Sequence, residues 1–276
     1  MAEKIEIQIR YAIELYNVDV RQSRSTIVGS MIDLASTAIL IQQCGRLDYF
    51  YVCMRYLETG NKYWRRAEMF REISQAMKER MAFLETIDRR DRADGTEKLK
   101  RLRQVPPETG KLLAILASYC PLGEYVEIGT SAGYSAMWLS LALKPRGIKL
   151  KTYEILPDKI DLAKETFHLA GIADTIELVE GDFCTMGPNL KNIAFCFLDC
   201  EKHLYEKCFD ILADKFICGG LLVADNAINL FESIKPMIEK AQNDERFDCL
   251  TVPIGNGEFL CRRNECKPKS EKTNGK

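Results

Sequence analysis

The chain has 276 residues, is 46% hydrophobic and 29% charged, and is long enough for one full α/β domain with a smaller attachment. With 39 Lys and Arg against 40 Asp and Glu, its net charge of -1 argues against a general nucleic-acid binder. The 11 cysteines include no C-x-x-C pair and there are only two histidines, so we do not expect a zinc site. The odd number of cysteines without a signal peptide, and the lack of a membrane-length apolar run, predict a cytoplasmic protein that does not bind membranes.

The first region, residues 1–103, is predicted to be a helical extension that serves in packing, in dimerisation or as a substrate lid. Residues 22–43 and 46–58 are predicted helices. Apolar residues at steps of three and four predict a further helix at 63–87, whose apolar face makes a homodimer an expectation. The apolar positions are Tyr63, Ala67, Phe70, Ile73, Met77, Met81 and Leu84. The charged segment 88–110 is predicted to be a solvated linker with a short helix.

The second region, residues 104–263, alternates strands and helices. Strands are predicted at 124–128, 149–155, 175–180, 193–199 and 220–225, with helices between them. This alternation predicts a mostly parallel sheet. The segments 247–254 and 258–263 flank Gly255-Asn256-Gly257, which predicts a terminal antiparallel hairpin. The polar tail 264–276 is predicted to be disordered.

A strand–turn–helix motif, 126-VEIGTSAGYSA-136, suggests a ligand site. Its glycines, Gly129 and Gly133, would let backbone N–H groups approach a bound group. The motif is neither the G-x-G-x-x-G of dinucleotide enzymes nor a P-loop, so a tight connection without a ligand is the alternative.

Three carboxylates favour a ligand at this motif. Glu154 ends the next strand, where it could accept both hydroxyls of a ribose, and Asp182 follows the third strand, where it could meet an adenine amino group. Glu127 precedes the turn and suits an ammonium group. Ammonium, ribose and adenine together describe S-adenosylmethionine.

Five segments together resemble the motifs of class I S-adenosylmethionine-dependent methyltransferases, and more narrowly the cation-dependent O-methyltransferases of the catechol and caffeoyl-coenzyme A type. They are 126-VEIGTSAGYSA-136, 152-TYEILPDKIDLAKETFHLAGI-172, 180-EGDF-183, 198-LDCEKHLY-205 and 219-GGLLVADNAI-228. The resemblance covers roughly 105–263. It implies a Rossmann-like methyltransferase fold, α/β with a mostly parallel seven-stranded sheet.

The resemblance also implies roles for single residues in cofactor binding. Glu127 would hold the methionine amino group and Glu154 the ribose. Asp182 and Phe183 would flank the adenine. The turn residues expected beside the methionine end are Gly129, Thr130, Gly133, Tyr134 and Ser135.

A second set of polar residues follows the fourth and fifth predicted strands. Asp199, Asp225 and Asn226 would meet at the carboxyl edge of the sheet, and their oxygen atoms suit Mg²⁺ or another hard divalent cation. Helix capping by the two aspartates is the alternative. Lys202 lies three residues after Asp199 and matches the catalytic lysine of the family, so it is the expected general base; His203 could be an alternative base.

These patterns predict a metal-dependent O-methyltransferase that acts on a small hydroxylated acceptor, such as a catechol. A nucleic acid is not the expected partner, although a hydroxylated nucleoside in tRNA, bound through basic residues in 89–103, is an alternative acceptor. A non-catalytic cofactor-binding interaction protein is the other alternative. Glu201 stands where the family often has Asp, and Trp138 is expected in the core.

Overall fold

The computed structural model describes residues 69–264. The predicted helices at 22–43 and 46–58, and the tail beyond residue 264, lie outside the described residues. Seven strands form one sheet in the order β3-β2-β1-β4-β5-β7-β6. Their bounds are β1 Glu124–Ile128, β2 Leu150–Glu154, β3 Ile176–Glu180, β4 Ile193–Leu198, β5 Phe216–Ala224, β6 Phe247–Val252 and β7 Glu258–Arg263.

The first five strands pair in parallel, whereas β7 runs antiparallel to both β5 and β6. The predicted α/β fold, with a mostly parallel seven-stranded sheet and a terminal antiparallel hairpin, is therefore confirmed. Strand β4, IAFCFL, is buried at every position. A continuous apolar run of this kind is expected of a central parallel strand, because helices cover both of its faces.

Seven α-helices accompany the sheet in the part of the chain that the structure describes. They are α1 Gln75–Ala93, α2 Pro107–Tyr119, α3 Tyr134–Leu143, α4 Pro157–Leu169, α5 Phe183–Met186, α6 Tyr205–Leu212 and α7 Phe231–Gln242. Short 3₁₀ turns extend several of them, including Lys202–Leu204 before α6.

Two apolar layers enclose the sheet. Tyr125 and Phe195 face a core that includes Leu84 of α1, whereas the alternate strand residues Val126 and Cys196 face a second core with α6 and α7. Trp138 is buried in the first core, as predicted. The alternation of successive strand side chains between the two faces produces this three-layer arrangement.

Helix α1 differs from its prediction at both ends. The helix begins after Ser74, whose hydroxyl accepts a hydrogen bond from the N–H of Met77 (3.2 Å), and it continues to Ala93. The linker predicted from residue 88 is therefore wrong over residues 88–93. Asp91 is buried, and Arg92 pairs with Asp88 one turn earlier (2.7 Å), so these charged residues complete a helix instead of forming a solvated linker.

The guanidinium of Arg80 joins α1 to α4. Its Nε donates to Thr166 Oγ1 (3.0 Å) and its Nη2 pairs with Glu165 (2.8 Å). Helix α1 is thus attached to the sheet domain by a buried charged side chain. Within residues 69–264, no helix is both long enough and apolar enough to cross a bilayer.

Candidate active site

A cavity of about 660 Å³ opens at the carboxyl ends of β1, β2, β4 and β5. Ligand pockets in proteins commonly have volumes of about 300–1,000 Å³. Most of the predicted site residues line this cavity: Gly129, Thr130, Tyr134, Ser135, Glu154, Asp182, Phe183, Asp199, Lys202, Asp225 and Asn226. The structure therefore gathers residues from five separate segments of the chain into one site.

The glycine turn shapes the floor of the cavity. Gly129 has φ +104°, and a Cβ there would collide with the backbone carbonyl of Asp199, so only glycine permits this close approach of the turn to the end of β4. Gly133 (φ +82°) is the N-cap residue of α3, and no side chain caps this helix. The first backbone N–H groups of α3 are therefore left for another partner, as in sites that bind anionic groups.

Two carboxylates lie at the ends of β2 and β3, which are on the other side of β1 from the strand that precedes the lysine. Glu154 accepts hydrogen bonds from the backbone N–H groups of Ser131 (2.8 Å) and Ile155 (2.8 Å), which fix its carboxylate at the cavity wall. Asp182 caps α5 by accepting from the N–H of Cys184 (2.9 Å). Phe183 packs edge-on against the ring of a neighbouring tyrosine. Their contacts with a ribose and an adenine stay predictions.

Glu127 lies beneath this wall and is fully buried. One carboxylate oxygen accepts from Ser135 Oγ (2.5 Å) and the other from Thr152 Oγ1 (2.6 Å). Its predicted contact with an ammonium group stays a prediction. The structure shows that Ser135, its hydrogen-bond partner, does line the cavity.

Asp199 and Asp225 follow the adjacent strands β4 and β5, and the N–H of Asp225 donates to the carbonyl oxygen of Leu198 (3.2 Å). Neither aspartate caps a helix: the N-cap residues of the next helical segments are Glu201, Leu204 and Leu230, and none of these makes a side-chain cap. The helix-capping alternative is therefore wrong for both. The position of both aspartates at the cavity therefore requires another explanation.

Asn226 completes this group in an unusual conformation. Its φ of +70° lies in the left-handed region, which asparagine tolerates better than most residues. The side-chain Nδ2 donates to Asn229 Oδ1 (3.0 Å), and this bond leaves the amide oxygen as the atom that could meet a cation. The backbone N–H of Asn226 donates to Asp225 Oδ1 (2.7 Å).

The two carboxylates of this group repel each other, and the positive charge of Lys202 offsets part of that repulsion. Burial, and then the negative charge of Asp199, raise the pKa of Asp225 to about 6. Two carboxylates and one amide oxygen are hard donors that suit Mg²⁺, and a divalent cation between them would relieve the repulsion. Within residues 69–264, no cluster of three or more His, Cys, Asp or Glu side chains is arranged to hold a metal ion. The group described here has two carboxylates and one amide, so it is not a cluster of that kind.

Lys202 lies at the same end of the cavity. Its Nζ is 2.6 Å from Asp199 Oδ1 and donates to the hydroxyl oxygen of Tyr205 (2.8 Å). The Tyr205 hydroxyl in turn donates to the carbonyl oxygen of Leu198 (2.9 Å). The lysine is therefore held beside the aspartates by a buried tyrosine from the following helix.

A profile of the O-methyltransferase family matches residues 90–264, which include the whole sheet and the cavity. The chain belongs to the O-methyltransferase family. Among relatives of this family, the catechol O-methyltransferase of Niastella koreensis is 32% identical over 129 residues, covering 45% of this chain and 58% of that protein. The chain thus spans less than two thirds of that relative. Caffeoyl-CoA O-methyltransferase 1 of Zea mays is 26% identical over 203 residues, covering 60% of this chain and 78% of that protein.

A solved O-methyltransferase structure has the same fold. The enzyme from Bacillus cereus, in complex with SAH, superposes with a TM-score of 0.56 at 20% identity, covering 66% of this chain and 91% of that chain. At this identity the likeness shows the fold, and the family membership follows from the sequence match.

Sequence reasoning missed two residues of the O-methyltransferase site. Tyr205 was part of a quoted motif, but only the structure shows that its hydroxyl holds Lys202. Glu258 on β7 is buried, accepts from Thr109 Oγ1 (3.0 Å) and lies beside Asp225. Burial, and then the charge of Asp225, raise the pKa of Glu258. An acidic residue at a buried position of a strand was the available signal for Glu258.

Glu127 gives this site a testable pH dependence. Burial raises its pKa to about 7, although the hydrogen bonds from Ser135 and Thr152 oppose this shift. Between pH ~4.5 and ~7 the unfolded chain loses this proton before the folded chain does, so the free energy of unfolding decreases as pH rises. Above that range both states are ionised, and the cost of the buried charge is constant at about 3 kcal/mol.

We expect Glu127→Gln to raise the free energy of unfolding by up to ~3 kcal/mol at pH 8 and by ~1 kcal/mol or less at pH 5. Urea unfolding at both pH values measures the difference. Glu245→Gln, on the exposed surface, removes the same charge and serves as the matched control. An equal change at both pH values would show that Glu127 does not titrate in this range.

Proposed function

We propose that this family member transfers a methyl group from S-adenosylmethionine to one hydroxyl of a small acceptor with two adjacent hydroxyls. The observation that carries the proposal is the meeting of Lys202, Asp199 and Asp225 at one end of the cavity. The same cavity has Glu154 and Asp182 on its wall, at the ends of other strands. One space therefore offers a place for the cofactor and, beside it, a group of oxygen ligands with a lysine.

The cofactor supplies the methyl group, and the chain's own residues would orient it. The carboxylate of Glu154 is fixed by three backbone N–H groups, those of Ser131, Ile155 and Leu156, so it would accept ribose hydroxyls without reorganising. Asp182 and Phe183 would hold the adenine. The uncapped first turn of α3 would receive the carboxylate of the methionine end.

Asp199, Asp225 and Asn226 would hold Mg²⁺ or another hard divalent cation. Such a cation lowers the pKa of a hydroxyl group that it contacts. Lys202 would accept the proton of the reacting hydroxyl as a neutral amine, the form that a neighbouring divalent cation would favour. Its Nζ lies beside Asp199 and Tyr205, at the end of the cavity where the cation would bind. Tyr205 would keep the lysine aimed at this position.

The tRNA alternative finds less support in the contacts of residues 89–103. Arg90 pairs with Asp91 (3.1 Å), Lys100 with Glu97 (3.6 Å) and Arg103 with Glu201 (2.5 Å). Basic side chains that already have carboxylate partners are poorly placed to neutralise phosphates. We therefore propose a small-molecule acceptor. The homodimer is a separate expectation and stays a prediction.

The test is methyl transfer with and without metal. The full chain is incubated with S-adenosylmethionine and a panel of catechols, with Mg²⁺, with EDTA, and with EDTA followed by excess Mg²⁺, and products are measured by mass. We expect a methylated product that disappears with EDTA and returns with Mg²⁺. Product that persists in EDTA would contradict the metal role, and the absence of product from every catechol would contradict the acceptor class.

A further inference from the structure

The basic side chains that line the cavity differ in whether they have a partner. Arg92 pairs with Asp88, Arg103 with Glu201, and Lys202 with Asp199. Lys159, near the start of α4, also lines the cavity and is only 6% exposed. Within residues 69–264 its ammonium group makes no side-chain hydrogen bond and no ion pair, so it lines the cavity as a cation without a bonded counter-charge. Lys98 also lines the cavity, but it is exposed to solvent.

Partial burial of an ammonium group is unfavourable, because the group loses part of its water shell without gaining a bonded partner. Burial, and then the positive charge of Arg103, lower the pKa of Lys159. The carboxylates of Glu154, Glu201 and Asp199 oppose this shift, although none of them bonds to Lys159. An oxyanion bonded to Lys159 would add the direct partner that its ammonium group lacks.

Residues 98–105, here termed the strap, contribute six of their residues to the lining of the cavity. The strap is anchored at Leu102, whose carbonyl oxygen accepts from Ser131 Oγ (2.8 Å), and at Arg103, which has φ +53° and pairs with Glu201. Gln104 of the strap also lines the cavity, and its Oε1 is buried without a hydrogen-bond partner among residues 69–264.

The corner of the cavity at Lys159 and Arg103 lies near the residues proposed for methyl transfer to the acceptor. Glu201, the partner of Arg103, stands between Asp199 and Lys202 in the chain, so Arg103 lies at the methyl-transfer end. The carboxylate of the cofactor has a separate place at the uncapped N-terminus of α3. A second oxyanion in the cavity would therefore belong to the methyl acceptor.

We infer that the methyl acceptor carries an oxyanion, a carboxylate or a phosphate, which binds Lys159 and Arg103 beneath the strap. This inference rests on the proposed function, since it assumes an acceptor at the lysine end of the cavity. The oxyanion gives Lys159 its counter-charge.

The experiment compares two acceptors that differ in one charge, 3,4-dihydroxybenzoate and 3,4-dihydroxybenzyl alcohol. We expect Lys159→Met to lower kcat/KM for the acid about tenfold, equivalent to ~1.4 kcal/mol, and to change that for the alcohol less than about twofold. Lys159→Arg, which keeps the charge, should retain the preference for the acid. Lys191→Met removes an exposed lysine before β4, at the opposite edge of the sheet, and is the matched control.

Other outcomes overturn the inference. Equal losses for the acid and the alcohol would show that Lys159 is structural. An unchanged ratio with weaker binding of S-adenosylhomocysteine would assign Lys159 to the cofactor carboxylate instead.

Failure of the proposed function is distinguished by calorimetry on the protein loaded with S-adenosylhomocysteine. If neither compound is methylated, tighter binding of the acid than of the alcohol, lost in Lys159→Met, would still support the oxyanion site. Equal binding of both compounds to the wild-type protein would refute it.

Discussion

Replacement of Asp225 by asparagine is expected to lower kcat/KM for a catechol acceptor about a thousand-fold, or ~4 kcal/mol of transition-state stabilisation. The side chain keeps its size and one oxygen, so the loop and the backbone contacts of Asn226 should persist. The variant lacks the negative charge that would hold a divalent cation beside Asp199. The acceptor would then bind without the group that lowers the pKa of its hydroxyl.

Binding of the metal provides a second measurement for Asp225→Asn that does not depend on turnover. Titration with Mn²⁺, followed by electron paramagnetic resonance, should show weaker binding, whereas the affinity for S-adenosylhomocysteine should stay within about twofold. Asp248→Asn removes the same charge from an exposed position on the edge strand β6 and should change neither property. Wild-type activity in Asp225→Asn would refute the proposed metal site.

Replacement of Lys202 by methionine is expected to lower kcat about 10²–10⁴-fold, the usual contribution of a positioned general base. The KM for the acceptor should change little, because the three oxygen ligands remain. The loss should shrink as pH rises, since hydroxide can replace the missing base. A plot of kcat against pH for the variant and the wild type measures this convergence.

Two further results would separate a base from a structural lysine. Lys202→Met should bind Mn²⁺ at least as tightly as the wild type, because Asp199 no longer has Lys202 as an ion-pair partner. Lys207→Met, on the exposed side of the helix that follows Lys202, is the matched control. A kcat that falls equally at every pH would assign Lys202 to positioning instead of proton transfer.

Local sequence patterns were sufficient to predict the fold and the positions where the strands end. Alternating apolar strands and helices predict a mostly parallel sheet, and polar residues that directly follow such strands must lie at its carboxyl edge. Asp199 and Asp225 were found in this way, because each directly follows a buried strand. Their proximity to each other could be predicted without any knowledge of side-chain packing.

Contacts between distant segments could not be predicted in this way. Arg103 meets Glu201 across 98 positions, and Thr109 meets Glu258 across 149. A charged residue in a loop looks like any solvated residue until the packing around it is known. The extension of α1 through residue 93 was missed for the same reason, since the burial of Asp91 depends on the tertiary structure.

The β6–β7 hairpin determines when the site can exist during synthesis of the chain. Its loop accepts hydrogen bonds from the segment after Asn226, at Gly257 from Ala227 (2.8 Å) and at Asn256 from Ile228 (3.2 Å). A nascent chain that ends before residue 256 contains every proposed ligand and the lysine, yet lacks the contacts that fix the Asn226 turn. Such late, long-range contacts form slowly relative to local ones. A competent site is therefore expected to form only after the hairpin has left the ribosome.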